Sequence, residues 1–268
     1  MSASRALRAA AEGLWPRLEP LLPGLTIEVP ERVGSTNTAL LERARAGDAS
    51  PCLMVAIEQT GGRGRQGRAW HATPGASLAF SLALPLLPRD WSGLSLAVGV
   101  ALAEALDDSN PPRISLKWPN DLWLATDDRK LGGILIETVN AGAARLAVIG
   151  VGLNIAPQDV PDASSGIACL RELDAQASAA SVLERVAEPL VRALKAFEAT
   201  GFGAVAARFE ARDALRGRAV TTTLAGAPEG TALGVAANGA LRLRSPQGLH
   251  EIASGEVSVR PAPTAHAA

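Results

Sequence analysis

Tyrosine is absent from this 268-residue chain, tryptophan occurs five times and phenylalanine four, so tryptophan is left to serve any pocket that needs an aromatic partner. The two cysteines, Cys52 and Cys169, stand in apolar contexts without metal-ligand spacing. That excludes a disulfide framework and a cysteine zinc site, and leaves two buried thiols in a reducing compartment as the expectation. A formal net charge of -1 gives no overall attraction for polyanions. Neither a charged start with an apolar run and cleavage site nor a bilayer-length apolar stretch occurs, so a soluble, cytoplasmic protein is expected.

Lysine is also scarce: of 26 Lys+Arg only Lys117, Lys130 and Lys195 are lysine. Where arginine supplies nearly all positive charge, a lysine marks a place where a compact ammonium does what a guanidinium cannot. Lys117 and Lys130 therefore carry weight, whereas Lys195 lies on a solvated helical face beside Arg192 and Glu198.

Residue types that are present turn this into a site. Apolar Leu53–Ile57 leads into Glu58-Gln59-Thr60-Gly61-Gly62-Arg63-Gly64-Arg65-Gln66-Gly67-Arg68-Ala69-Trp70, a loop suited to anions. Glycines bring backbone N–H groups close to a ligand, and arginine forks match carboxylate and phosphate oxygens.

Apolar spacing predicts a helix over 4–22, a strand over 26–33, and a helix from a Ser35 cap to Gly47. Strands follow at 53–59 and 77–84, then an apolar helix at 94–106 and short strands at 114–118, 122–125, 131–139 and 145–151. Turns at 126–128 and 140–142 separate the last of these. Helices are expected at 179–199, kinked at Pro189, and at 203–214. The implied core is a mixed sheet with helices on one face. After Gly217, alternating strands at 218–225, 231–236, 240–244, 249–253 and 256–260 suggest a small β-barrel. The divisions are a helical extension at 1–25, a main domain at 26–215, the barrel at 216–262 and a disordered tail at 263–268.

Five blocks stand in order: Ser35-Thr36-Asn37; Gln59 with Gly62–Arg68 and Trp70; Lys117-Trp118-Pro119-Asn120-Asp121; Arg129-Lys130-Leu131-Gly132-Gly133-Ile134-Leu135-Ile136-Glu137; and Gly150-Val151-Gly152-Leu153-Asn154-Ile155. Together they resemble the biotin protein ligase family from about residue 26 to the end. The resemblance implies an α+β catalytic fold, class II synthetase-like, followed by an SH3-like barrel. It implies an enzyme that makes biotinyl-5′-AMP from biotin and ATP with Mg²⁺ and transfers biotin to one lysine of a biotin carboxyl carrier protein. Bifunctional members carry a winged-helix domain ahead of the ligase core. Only 34 residues precede Ser35 here, so a monofunctional enzyme without specific DNA binding or membrane association is expected, and a homodimer is left open.

Carried onto this chain, the resemblance places biotin among Ser35, Thr36, Asn37, Gln59, Arg63, Gly64, Arg65, Lys130, Gly133 and Gly152. ATP and the adenylate would meet Arg63, Arg65, Arg68, Trp70, Lys117, Asn120 and Asn154. Lys130, Arg65 and Asp121 would be catalytic, Asp121 either receiving a proton or lying near Mg²⁺. Gly132 would join the walls. The residues admit simpler readings: Ser35 as a helix cap, 118–121 as a turn, Lys130 as a hairpin tip and Trp70 as core. Two other functions fit parts of the pattern. A lipoate or octanoate transferase would make poor use of a polar pocket, and a non-catalytic nucleotide or RNA binder would use only the arginine loop.

Overall fold

The computed structural model describes residues 2–141, 144–160, 166–253 and 257–262. The expected tail at 263–268 and the turn residue Gly142 lie outside these.

Leu7, Ala10, Ala11 and Leu14 recur at helical spacing; helix α1 (Ala3–Gly13) buries the first three, and Leu14, its cap, is buried beside them. The expected single helix is in fact two, because Pro16 opens a separate turn, α2 (Trp15–Leu18). Proline lacks the N–H that a continuing helix requires and is best placed in a first turn. The strand expected over 26–33 is likewise divided into β1 (Thr26–Glu28) and β2 (Arg32–Val33), with Pro30 between. Helix α3 (Thr36–Arg45) begins at Ser35, whose hydroxyl accepts from Thr38 N–H.

Strands β3 (Cys52–Ala56), β4 (Glu58–Gln59), β5 (Gly62–Arg63), β6 (Ala69–Trp70) and β7 (Ser77–Pro85) follow, then helix α4 (Leu94–Leu106). Next come β8 (Ile114–Lys117), β9 (Asp121–Leu124), β10 (Lys130–Ala141) and β11 (Ala144–Asn154). Helix α5 (Ala179–Thr200) runs through Pro189, and α6 (Ala206–Glu210) is shorter than the expected 203–214. The main sheet has the order β1-β3-β7-β11-β10-β9-β8, parallel at β1–β3 and antiparallel elsewhere. The fold is therefore α+β with a mixed sheet.

Helices cover both faces of this sheet, not one. On β11, Ala147, Ile149, Val151 and Leu153 join the large core with α1, α4 and α5, while Leu146 and Val148 join Leu40, Leu41 and Ala44 of α3. Side chains alternate across a strand, so a strand apolar at every position needs cover on both sides. The sequence shows that in the unbroken apolar run of β3, which is buried throughout.

The C-terminal sheet comprises β12 (Ala219–Thr222), β13 (Glu229–Val235), β14 (Leu241–Ser245), β15 (Gly248–Ile252) and β16 (Val259–Pro261), in the order β15-β14-β13-β12-β16. It is joined to the main sheet by the fully buried Trp118, whose indole N–H donates to Gly239 O at 3.0 Å. A second tie is the Arg218–Asp128 ion pair. Cys52 and Cys169 are buried and free. Among the described residues no helix is long and apolar enough to cross a membrane.

Candidate functional site

On the α3 face, side chains shrink toward one end of β7 and β11. Ser81 pairs with Gly150 and Ala79 with Gly152, and all four share the face that carries Ala83 and Val148 farther along. The space they leave open is filled from above. A Cβ on Gly150 would lie 2.3 Å from Asn37 Oδ1, and one on Gly152 would lie 2.3 Å from Trp70 Cε2. Glycine is required at both positions by close approach rather than by backbone angle.

A cavity of about 160 Å³ results, with Ser35, Thr36, Asn37 and Gln59 on one side and Lys117, Asn120, Asp121 and Lys130 on the other. Its polar floor is wired together. Thr36 N–H donates to Gln59 Oε1 at 3.0 Å, the Thr36 and Ser81 hydroxyls lie 2.7 Å apart, and Ser81 donates to Asn37 Oδ1 at 2.6 Å. The cap of α3 is thus also a wall of the cavity.

The glycine–arginine segment folds as a small hairpin: β5 pairs with β6, Gly64 N–H donates to Arg68 O, and Gln66 and Gly67 take positive φ at the tip. Arg63, Gly64, Arg65 and Arg68 all border the cavity. Arg65 Nη1 lies 3.5 Å from Asn120 Oδ1, and burial pulls its guanidinium pKa down. Arg68 donates to Gln66 Oε1 at 2.7 Å and approaches Ser258 Oγ at 3.4 Å.

The charged centre is Asp121. Lys130 Nζ lies 2.7 Å from one of its oxygens and Lys117 Nζ 3.5 Å from the other. Burial alone would raise the Asp121 carboxyl, but the two ammonium groups outweigh it and hold it below the ordinary range. Burial lowers Lys117 from its ordinary value, opposed by Asp121. Both lysines also stand over indoles, Lys117 over Trp123 at 5.4 Å and Lys130 over Trp70 at 5.8 Å.

A second, wider cavity of about 750 Å³ lies beyond this centre and is bordered by Trp123, Asn154 and Ile167. The two hollows share Arg68, Trp70, Lys117, Asp121 and Lys130. Asn154 is almost fully buried and braces the backbone there, its amide donating to Lys130 O and Ala168 O, both at 3.1 Å. Gly133 also borders the first cavity, whereas Gly132 packs against Leu153 and the Gly152 carbonyl.

Every residue named for a site from the sequence except Gly132 and Asn154 therefore borders the first cavity; Asn154 borders the second, and Gly132 borders neither. Sequence reasoning missed Ser81, Trp123 and the C-terminal contributors Val257, Ser258, Val259 and Arg260. Ser81 carried a faint signal as a hydroxyl flanked on both sides by apolar residues within a buried strand. Among the described residues, no group of three or more His, Cys, Asp and Glu is placed to hold a metal ion.

Residues 29–154 match the biotin/lipoate A/B protein ligase family, and residues 216–260 match the biotin protein ligase C terminal domain. The bifunctional ligase/repressor BirA of Escherichia coli is 35% identical over 251 residues, which span 90% of this chain and 76% of that protein. The biotin--[acetyl-CoA-carboxylase] ligase of Mycobacterium tuberculosis is 40% identical over 180 residues, 63% of each chain. Among solved structures, the biotin protein ligase from Aquifex aeolicus in complex with biotin and ATP gives a TM-score of 0.73 at 28% identity, covering 90% of this chain and 100% of that one.

Proposed function

We propose, because the chain belongs to the biotin/lipoate A/B protein ligase family, that it activates biotin with ATP and joins it to a lysine of a biotin carboxyl carrier protein. The carboxylate of biotin displaces pyrophosphate from the α-phosphorus to give biotinyl-5′-AMP. The acceptor amine then attacks the acyl carbon, AMP departs, and the amine loses a proton. Relatives named as biotin--[acetyl-CoA-carboxylase] ligases and a relative solved with biotin and ATP support both halves of this reading.

The observation that carries it is the meeting of two unlike hollows at Lys130 and Lys117. The smaller one, with its amide and hydroxyl floor, suits a ureido ring, and the wider one suits a nucleotide. Two anions brought together repel, and fixed cations at the junction lower that cost in the ground state and in the charged transition state. On this reading Lys130 and Arg65 hold the carboxylate and then the acyl phosphate, while Lys117, Asn120 and Arg68 serve the phosphates. Trp70 closes the wall between the two sites.

Mg²⁺ enters as the companion of the triphosphate. Asp121 is a poor ligand for it, since each oxygen faces a lysine. The same pairing, which keeps the carboxyl ionised near neutral pH, makes Asp121 a holder of the two lysines rather than a strong base.

The test is to incubate the protein with biotin, Mg-ATP and an apo carrier domain and to weigh the acceptor. A mass gain of one biotinyl group supports the proposal, and an unmodified acceptor with no biotin-dependent pyrophosphate release removes it. Calorimetry with lipoate in place of biotin separates the sister chemistry: a floor of hydroxyl and amide groups left unpaired by a dithiolane ring should bind it far more weakly.

A further inference from the structure

Glu137 is not part of either cavity, yet it ends a hydrogen-bonded chain that reaches the floor of the first. The Asn37 amide nitrogen donates to Glu137 Oε2 at 2.9 Å and to Leu135 O at 3.3 Å. Both partners only accept, so the Asn37 atom facing them is the NH₂ group and its oxygen faces Ser81. Two oxygens 2.6 Å apart need a proton between them, and Asn37 Oδ1 has none, so the Ser81 hydroxyl proton is committed to Asn37. The Ser81 oxygen, 2.7 Å from Thr36 Oγ1, must then accept the Thr36 hydroxyl proton. The Thr36 hydroxyl also lies 3.2 Å from Gln59 Oε1, but its single proton is spent on the shorter contact to Ser81, so Thr36 Oγ1 faces the cavity as an acceptor and Gln59 Oε1 is held by the Thr36 backbone N–H at 3.0 Å.

The geometry points to Glu137 as a positioning residue that sets the direction of the Asn37–Ser81–Thr36 relay, so that the biotin cavity presents an acceptor to a ligand N–H. The members between the ends are shut away from water, with Ser81 at 0% exposure and Thr36 and Asn37 at 4%. Outside the cavity itself, little solvent reaches these groups to repair a reversed relay. Replacing the carboxylate by an amide of the same shape leaves only the longer 3.3 Å contact to Leu135 O against the reverse order, in which Asn37 turns its oxygen outward, Ser81 points its proton at Thr36, and Thr36 points its own at Gln59. The cavity then offers a donor where a ureido N–H needs an acceptor.

This inference rests on biotin being the ligand, and the experiment separates the two. Calorimetry of biotin, without ATP, is run on the wild-type chain, Glu137→Gln, Thr36→Val and the double variant. Glu137→Gln should weaken binding by about fivefold or more. In the Thr36→Val background, where the relay is cut, the same change should matter by less than about twofold. Equal effects in both backgrounds, or none in either, overturn the relay. A ligand-free readout stands beside it: in ¹⁵N spectra, Glu137→Gln should move the side-chain amide signals of Gln59 as well as Asn37. A change confined to Asn37 overturns the proposal. Wild-type protein that takes no biotin would fell the functional reading, while the spectra still decide the relay.

Discussion

The Trp70 ring fills the volume that a side chain at Gly152 would need, with Cε2 only 2.3 Å from where the Cβ would stand. The indole borders both hollows, and its position is set by that missing methyl group. Gly152→Ala must push the ring or bend β11, which in a packed interior costs about 1–3 kcal/mol. Calorimetry should show biotin binding weakened by about tenfold or more, the equivalent of a little over 1 kcal/mol. Gly13→Ala is the control, because nothing lies within 4 Å of a Cβ there. Unchanged biotin affinity in Gly152→Ala would mean that the ring has room that the geometry denies it.

Lys130 and Lys117 are two cations on one carboxylate, but their environments differ. The Lys130 side chain is 32% exposed and that of Lys117 is 10% exposed. Lys130→Ala should lower the melting temperature only modestly, since Lys117 remains as a partner of Asp121 and water can reach the space that the partly exposed Lys130 leaves. Adenylate formation, followed as biotin-dependent pyrophosphate exchange, should fall by about a hundredfold or more. Lys117→Ala should lower both stability and activity, because it removes a buried group seated on Trp123 and leaves an unfilled space there. Full exchange activity in Lys130→Ala would displace Lys130 from its assigned role.

The parts of the site formed by contiguous residues were legible in the chain itself. Ser35–Asn37, Gly62–Trp70 and Lys117–Asp121 each sit on one turn or hairpin, so their spacing in the chain is nearly their spacing in space. Ser81 and Glu137 were not legible in this way. Ser81 belongs to the site only because β7 pairs with β11 in a register that sets it opposite Gly150, and that register is decided over some seventy residues of intervening chain. The two-sided cover of the sheet was hidden for a related reason. An unbroken apolar strand announces burial on both faces, but not which helix supplies the second layer. Pro16 and Pro30, which divided two expected elements, were readable in principle and were outweighed by the apolar pattern around them.

Trp118 holds the turn between β8 and β9 against the C-terminal sheet through its hydrogen bond to the buried Gly239 carbonyl. Trp118→Phe keeps most of the ring but leaves that carbonyl without its partner, at a cost of about 1–3 kcal/mol. Urea unfolding should show a lower midpoint by a corresponding amount. Ligation should also drop, because the turn carries Asn120 and Asp121. A midpoint equal to wild type would show that the two sheets are held together by other contacts alone.

Asp107 provides a pH-dependent reading of the core beneath β8. Its side chain is wholly buried, accepts from Arg113 N–H at 2.8 Å and Ile114 N–H at 2.9 Å, and pairs with Arg212 Nη1 at 2.9 Å. Burial alone would raise its pKa, but Ser109, the Ile114 N–H and Arg212 together pull it down from 3.8 to about 2. A carboxyl depressed in the folded state stabilises fully above its unfolded pKa. That stabilisation is lost as pH falls from about 4 toward 2, where the unfolded chain binds the extra proton, and the shift corresponds to about 2 kcal/mol. Other carboxylates titrate in the same range, so the informative quantity is the stability gap between wild type and Asp107→Asn. Measured by urea unfolding, the gap should be largest near pH 6 and should shrink by about 2 kcal/mol as pH approaches 2. A gap that stays constant with pH would mean that the Asp107 carboxyl titrates alike in the folded and unfolded chains, and that the Arg212 contact contributes nothing to holding its charge.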